Sequence, residues 1–154
     1  MIPFKFVTLG YRQCESGISE NTVYRNKSGI DTIIGMAVKY VTANVPCMII
    51  SAELNVSHLV RRVAKQYPIE QGQKPPTDLI LYAFNDTGFT PQQCIDVLEH
   101  RKTFMGKLPR VVFVDWLDLK DYDAVHLLDV YAKQNEILVV CKHQVPYNDD
   151  GLPV

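Results

Sequence analysis

The stretch RVVFVDWLDL, residues 110–119, decides the fold. Within it, three valines and Phe113 form an unbroken apolar run that leads directly into Asp115. A short apolar run rich in β-branched residues predicts a central strand that is covered on both faces, as in parallel sheets. Asp115 would then stand at the carboxyl edge of the sheet, where open α/β sheets bind their ligands. The alternative interpretation is an aspartate that only begins a loop or caps the next helix.

The segments around this strand alternate between strand and helix patterns. Strands are predicted at residues 3–9, 45–51, 78–84, 110–115 and 136–141, and helices at 28–44, 55–67, 90–105 and 121–134. Because nearly every strand is apolar on both faces, we expect an α/β fold, a three-layer α/β/α sandwich on a mainly parallel five-stranded sheet. Residues 1–154 form one domain in this interpretation, with a C-terminal tail from about residue 145 to residue 154.

The same patterns predict helix starts and core-facing side chains. Thr90 followed by Pro91 is typical of a helix start, because threonine caps the first turn and proline fits the first helical position. Apolar spacing predicts that several further residues pack inward. These are Val60, Ala64, Phe104, Trp116, Leu127 and Tyr131.

Composition limits the class of protein. The chain is 47% hydrophobic and 21% charged with a formal net charge of −1, which predicts no strong general affinity for polyanions. No apolar run reaches the length of a membrane span and the N-terminus lacks a signal-peptide layout, so we expect a cytoplasmic protein without a membrane partner. Cys14, Cys47, Cys94 and Cys141 are scattered, which favours buried thiols in a reducing compartment over a zinc site.

Three stretches, in this order, resemble the RecA-type ATPase core, and specifically its DnaB-type replicative helicase branch. CMIISAEL at 47–54 is similar to that branch's strand ending in S-L-E-M, whose glutamate is the general base, so the resemblance implies this role for Glu53. LILYAFNDTGFTPQQCIDVLEHRK at 79–102 resembles the strand, turn and helix before the metal-binding strand. VVFVDWLDL at 111–119 resembles the metal-binding strand itself, which implies Asp115 as the Mg²⁺ ligand.

The resemblance continues to residue 144. The stretch AVHLLDVYAKQNEILVVCKHQ at 124–144 is similar to the helix and strand that end in a sensor of the γ-phosphate, which implies that role for His143 and Gln144. Together these stretches cover roughly residues 28–144. They imply a RecA-like, P-loop NTPase-type sheet with a nucleotide site at its carboxyl edge.

The phosphate-binding loop departs from the family pattern. That pattern, G-x-x-x-x-G-K-[ST], should lie between the first strand and the first helix. If Gly29 is its last glycine, Ile30 stands at the lysine position and Asp31 at the hydroxyl position. A register ending at Gly17 also puts an isoleucine, Ile18, at the lysine position. We prefer the first register because the helix length and the distance to the predicted base fit better, and it makes Gly29 and Asp31 the nucleotide-binding candidates.

An isoleucine cannot neutralise a triphosphate, and Asp31 adds negative charge beside it. The family also continues past the sensor strand into DNA-contacting loops and an arginine finger, whereas this chain stops at Val154. The sequence therefore favours a catalytically degenerate RecA/DnaB-like protein without a cofactor, of the kind expected in a phage or mobile element. It would act by protein–protein interaction in DNA replication or recombination, as a loading or regulatory factor on a helicase or recombinase subunit, or as a self-assembling homo-oligomeric scaffold.

Two alternatives stay open. The first is a divergent Mg²⁺-dependent ATPase of the replicative helicase type, in which Lys27, Arg12 or Arg25 replaces the missing lysine. The second is a nucleic-acid-binding module without nucleotide dependence, in which the basic face of the second helix makes a weak DNA contact. That face carries Arg61, Arg62 and Lys65. Nucleotide binding separates the first alternative from the leading hypothesis, and a steep dependence on salt is the signature of the second.

Overall fold

The computed structural model describes residues 4–10, 22–24, 29–52, 54–67, 79–83, 89–115, 117 and 120–144, with side chains for residues 30–141 of these ranges. The strands are β1 (Phe4–Gly10), β2 (Thr22–Tyr24), β3 (Cys47–Ser51), β4 (Leu79–Ala83), β5 (Val111–Asp115) and β6 (Leu138–Gln144). The helices are α1 (Gly29–Thr42), α2 (Val56–Gln66), α3 (Pro91–Met105) and α4 (Tyr122–Gln134). No described helix has the length and apolar character needed to cross a membrane.

The described strands form one sheet in the order β2-β1-β6-β5-β3-β4. The four strands β6, β5, β3 and β4 are parallel, whereas β1 runs antiparallel to β6 and β2 runs antiparallel to β1. The prediction of an α/β fold with a parallel sheet is confirmed. The prediction of a five-stranded sheet is wrong, because six described strands form the sheet and four of them are parallel. The predicted first strand runs antiparallel to its neighbours, and β2 lies within a polar stretch that carries no strand pattern.

Two hydrophobic cores lie on opposite faces of the sheet, because alternate residues of a strand point in opposite directions. Along β5, Val111 and Phe113 belong to the core beneath α1 and α2, and Val112 and Val114 belong to the core beneath α3 and α4. All five residues of β5 are buried. The predicted central strand is therefore confirmed, and helices cover both faces of the sheet as in an α/β sandwich.

The start of α3 is built as its sequence predicts. Thr90 Oγ1 accepts a hydrogen bond from the Gln93 backbone N–H at 3.1 Å, and Gln93 Oε1 accepts one from the Thr90 N–H at 2.9 Å. This reciprocal capping box satisfies two backbone donors that have no partner inside the helix. At the other end Gly106 adopts a left-handed conformation with φ of 72°, which closes the helix without a side-chain clash.

Several apolar residues expected in the core are instead at the surface. Val60 is 48% exposed, Phe104 72% and Leu127 56%, and Ala64 is exposed as well. Helical periodicity identifies an apolar side of each helix, but it does not say how far the neighbouring elements reach along that side. Tyr131 is half-buried, and its hydroxyl donates to Glu99 Oε1 at 2.7 Å. Trp116 lies outside the described residues.

Three thiols are buried within the sheet and α3. Cys47, Cys94 and Cys141 are each fully buried, which confirms the expected packing of three of the four cysteines; Cys14 lies outside the described residues. Burial, with a smaller contribution from the nearby Cys141, raises the pKa of Cys94 to about 12. Since the thiolate is the nucleophile, a neutral buried thiol is chemically inert.

A thiol-labelling experiment follows from this burial. In a Cys14→Ser variant at pH 8, we expect the three remaining thiols to resist a disulfide reagent in native buffer and to react fully in guanidinium chloride. Rapid labelling in native buffer would contradict the packing.

The raised pKa of Cys94 also makes the stability of the fold depend on pH. Above pH 9 the unfolded chain loses the Cys94 proton and the native state keeps it up to about pH 12, so the free energy of unfolding falls over that interval.

Candidate functional site

Two buried polar side chains meet at the carboxyl edge of the sheet. Ser51 ends β3 and Asp115 ends β5, and the parallel register places them directly across from each other. Both are fully buried, and among the described residues they are the two buried polar side chains. Ser51 Oγ donates a hydrogen bond to Asp115 Oδ2 at 3.1 Å. The predicted position of Asp115, at the end of the central strand, is thus confirmed.

The serine also ties down the turn that follows β3. Its Oγ accepts a hydrogen bond from the Leu54 backbone N–H at 3.1 Å, so it links this turn to Asp115. The predicted base, Glu53, lies outside the described residues. Within the described part of the chain no three acidic, histidine or cysteine side chains come together as a metal site. The assignment of Asp115 to Mg²⁺ stays a prediction, and it would require access to a carboxylate that is now fully enclosed.

Core packing and an ion pair occupy the start of α1, where a phosphate-binding loop would join its helix. Gly29 is the first helical residue, and Ile30 is only 5% exposed within the core beneath α1. Arg62 Nη1 of α2 lies 3.1 Å from both Oδ1 and Oδ2 of Asp31. Gln66 Nε2 donates to the Asp31 carbonyl oxygen at 2.8 Å. These contacts fasten the first turn of α1 to α2.

The reversed direction of β1 changes how α1 is approached. Gly10, the last residue of β1, pairs with Leu138 at the beginning of β6, so β1 ends at the edge opposite to Asp115. In the resembling family the phosphate-binding loop follows the first strand directly. Here β2 intervenes, and its last residue, Tyr24, lies across from Phe4, which pairs with Gln144 at the carboxyl end of β6. The chain therefore reaches α1 from the outermost strand.

The remaining predicted site residues are placed only in part. His143 and Gln144 lie at the end of β6, where their backbones pair with Lys5 and Phe4, and their side chains are outside the described part. On α2, Arg61 and Lys65 are exposed, whereas Arg62 is engaged with α1. The basic face proposed for DNA is therefore reduced. The substitutes for the missing lysine, Lys27, Arg12 and Arg25, lie outside the described residues.

No protein-family model, no curated protein and no solved structure matches this chain. The resemblance to the RecA/DnaB core therefore stays a prediction that depends on the order and spacing of its motifs.

A second feature was not predicted from the sequence. An open cavity of about 340 Å³ lies between β4 and α3. It is lined by Tyr82, Phe89, Gln93, Asp96, Val97 and His100. Tyr82 and Phe89 pack edge to face, with ring centroids 6.4 Å apart. The four α3 residues recur at helical spacing, which was the available signal, but the contribution of β4 depends on the strand order of the sheet.

Proposed function

We propose that this protein is a nucleotide-independent interaction factor on a degenerate RecA/DnaB-like core, which loads, regulates or scaffolds a replication or recombination complex. The start of α1 is the observation that carries the proposal. Ile30 is packed in the core at the position that the family gives to the phosphate-binding lysine, and Asp31 holds a carboxylate in the first turn. The helicase or recombinase context comes from the motif order in the sequence.

Electrostatics at this helix start oppose a triphosphate. The N-terminus of a helix attracts anions through its backbone N–H groups and its dipole. Here Asp31 already supplies the negative charge, and Arg62 of α2 is paired with that carboxylate. A nucleotide phosphate would have to displace Asp31 or lie beside it with like charge.

A titration with ATP and Mg²⁺ tests the proposal that the protein does not depend on nucleotide. We expect neither heat in calorimetry nor a shift of the melting temperature at millimolar ATP. Asp31→Asn serves as the matched variant, because it removes the opposing charge and keeps the size of the side chain. Saturable binding by the natural sequence would contradict the proposal and favour the ATPase alternative. Binding that strengthens in Asp31→Asn would place the nucleotide at the start of α1.

A binary binding assay tests the interaction half. The full chain is immobilised and exposed separately to a purified DnaB-type helicase and a purified RecA-type recombinase, each with and without ATP. We expect one of them to bind this chain equally well in the presence and in the absence of ATP. Failure to bind either at micromolar concentration would contradict the replication and recombination context.

A further inference from the structure

The outer edge of β4 is open in the described structure. β4 is the last strand in the sheet order, and no other described strand pairs with its outer side. All five of its residues are half-buried, although the run LILYA is almost wholly apolar. An edge strand offers a row of backbone N–H and C=O groups to a further strand, and natural proteins usually blunt such edges with charge, proline or a bulge. No charged residue or proline interrupts β4 itself.

The helix on one face of this edge presents an apolar flank. On α2, Leu59 and Val63 face the core and Arg62 faces α1. Helical spacing puts Val56 and Val60 on the opposite flank, away from α1 and above β4. These valines are 49% and 48% exposed.

The helix on the other face does the same. Glu99 and Lys102 face α4, where they contact Tyr131 and Asn135. The flank of α3 that points away from α4 carries Gln93, Val97 and His100, which line the cavity beside Tyr82, and continues to Phe104 one turn further on. Phe104 is 72% exposed, and its ring lies 4.5 Å from that of His100 between centroids. An exposed aromatic ring and an open cavity therefore share one flank.

We propose that this surface, called here the β4 edge surface, forms a symmetric homodimer. It comprises the outer edge of β4 and the flanks of α2 and α3 beside it. The β4 strands of two copies pair antiparallel across a two-fold axis, so that the sheet continues from one copy into the other. Phe104 of each copy enters the cavity of the other. The inference rests on the proposed interaction role, for which it names a second copy of this chain as the partner.

The pattern along α3 is what favours a second copy over an unrelated strand. A two-fold interface uses the same patch twice, so the patch must contain both members of each contact. When two α3 helices lie antiparallel with Phe104 opposite Gln93 of the second copy, Val97 lies opposite His100. Asp96 then comes beside the second copy's His100, whose imidazole N–H can donate to a carboxylate oxygen. On the other face the uncharged valines of α2 meet each other, while Arg61 and Lys65 stay toward solvent.

Sedimentation velocity on the full chain tests the dimer. We expect the natural sequence to dimerise at micromolar concentration and Phe104→Glu to raise the dissociation constant by at least about tenfold, which corresponds to about 1.4 kcal/mol. Phe104 is largely exposed, so this change should leave the fold intact. Tyr122→Glu is the matched control, because Tyr122 is an 85% exposed aromatic residue on α4, away from β4. It should leave the dissociation constant unchanged.

A charge exchange tests the register. Asp96→Lys and His100→Glu should each weaken the dimer, whereas the double variant should restore it, because a lysine and a glutamate of opposite charge then face each other. A monomer at every concentration, or a dimer that responds equally to Phe104→Glu and Tyr122→Glu, would overturn the inference. Additive weakening in the double variant would overturn the register. A monomer that still binds the helicase or recombinase would reject the dimer alone, and a dimer that binds neither would reject the proposed function alone.

Discussion

Replacing Phe113 with alanine is expected to lower the free energy of unfolding by about 4 kcal/mol, since truncating a buried phenylalanine costs roughly 3–5 kcal/mol. Phe113 is fully buried at the middle of the central strand and packs in the core beneath α1 and α2. Its ring centroid lies 6.1 Å from that of Tyr40 on α1, so the truncation also removes an aromatic contact. Urea denaturation followed by circular dichroism measures the change.

Leu127→Ala is the control for this prediction. Leu127 has the same apolar character in the sequence pattern but is 56% exposed on α4, so its truncation should change stability by less than about 0.5 kcal/mol. Phe113→Leu should fall between the two, because it keeps most of the buried volume. Equal costs for Phe113→Ala and Leu127→Ala would show that the two residues share one environment, contrary to the packing.

Replacing Asp115 with alanine is expected to cost about 3 kcal/mol of stability. The change leaves the Ser51 hydroxyl buried without the acceptor that it now has at 3.1 Å, and an unsatisfied buried polar group costs about 1–3 kcal/mol. The cavity left by the lost carboxylate adds to this cost. Comparison with Ser51→Ala and with the double variant gives the coupling energy between the two side chains, which we expect to be about 1 kcal/mol.

A neutral or stabilising Asp115→Ala variant would contradict this structural role. That result would show that the carboxylate does not stabilise the fold, and it would favour the metal-binding alternative. Mg²⁺ distinguishes the two directly. A rise in melting temperature with added Mg²⁺ that disappears in Asp115→Ala would support a metal site, and no rise in either protein would support the structural role.

The order and bounds of most elements could be predicted from the sequence. Unbroken apolar runs such as β5 and the Thr90-Pro91 helix start are local signals, because a few adjacent residues determine burial and capping. The direction of β1 could not be predicted, since an apolar run has the same pattern whichever way the strand runs. β2 is too short and too polar in its surroundings to give a pattern at all.

In the candidate site, too, local features could be predicted and tertiary contacts could not. The isoleucine at the lysine position of the phosphate-binding motif, Ile30, can be recognised from the motif alone, and the placement of Asp115 follows from the predicted strand. The contact of Asp31 with Arg62 joins residues on two helices, and the bond between Ser51 and Asp115 joins two strands. Both depend on tertiary structure that no local pattern encodes. The prediction that Phe104 packs in the core is wrong for a related reason, because helical spacing does not reveal that the sheet ends beneath that flank of α3.

The position of β6 between β1 and β5 has a consequence for synthesis on the ribosome. The parallel strands β3, β4 and β5, with the helices between them, can assemble as they emerge, because β4 and β5 each pair with β3, which is already made. The β1–β2 ribbon, although made first, reaches the sheet only through β6, which is made last among the described elements. Until β6 is made, the edges of β1 and β5 that pair with it stay exposed, so the nascent chain is more prone to aggregation in this interval.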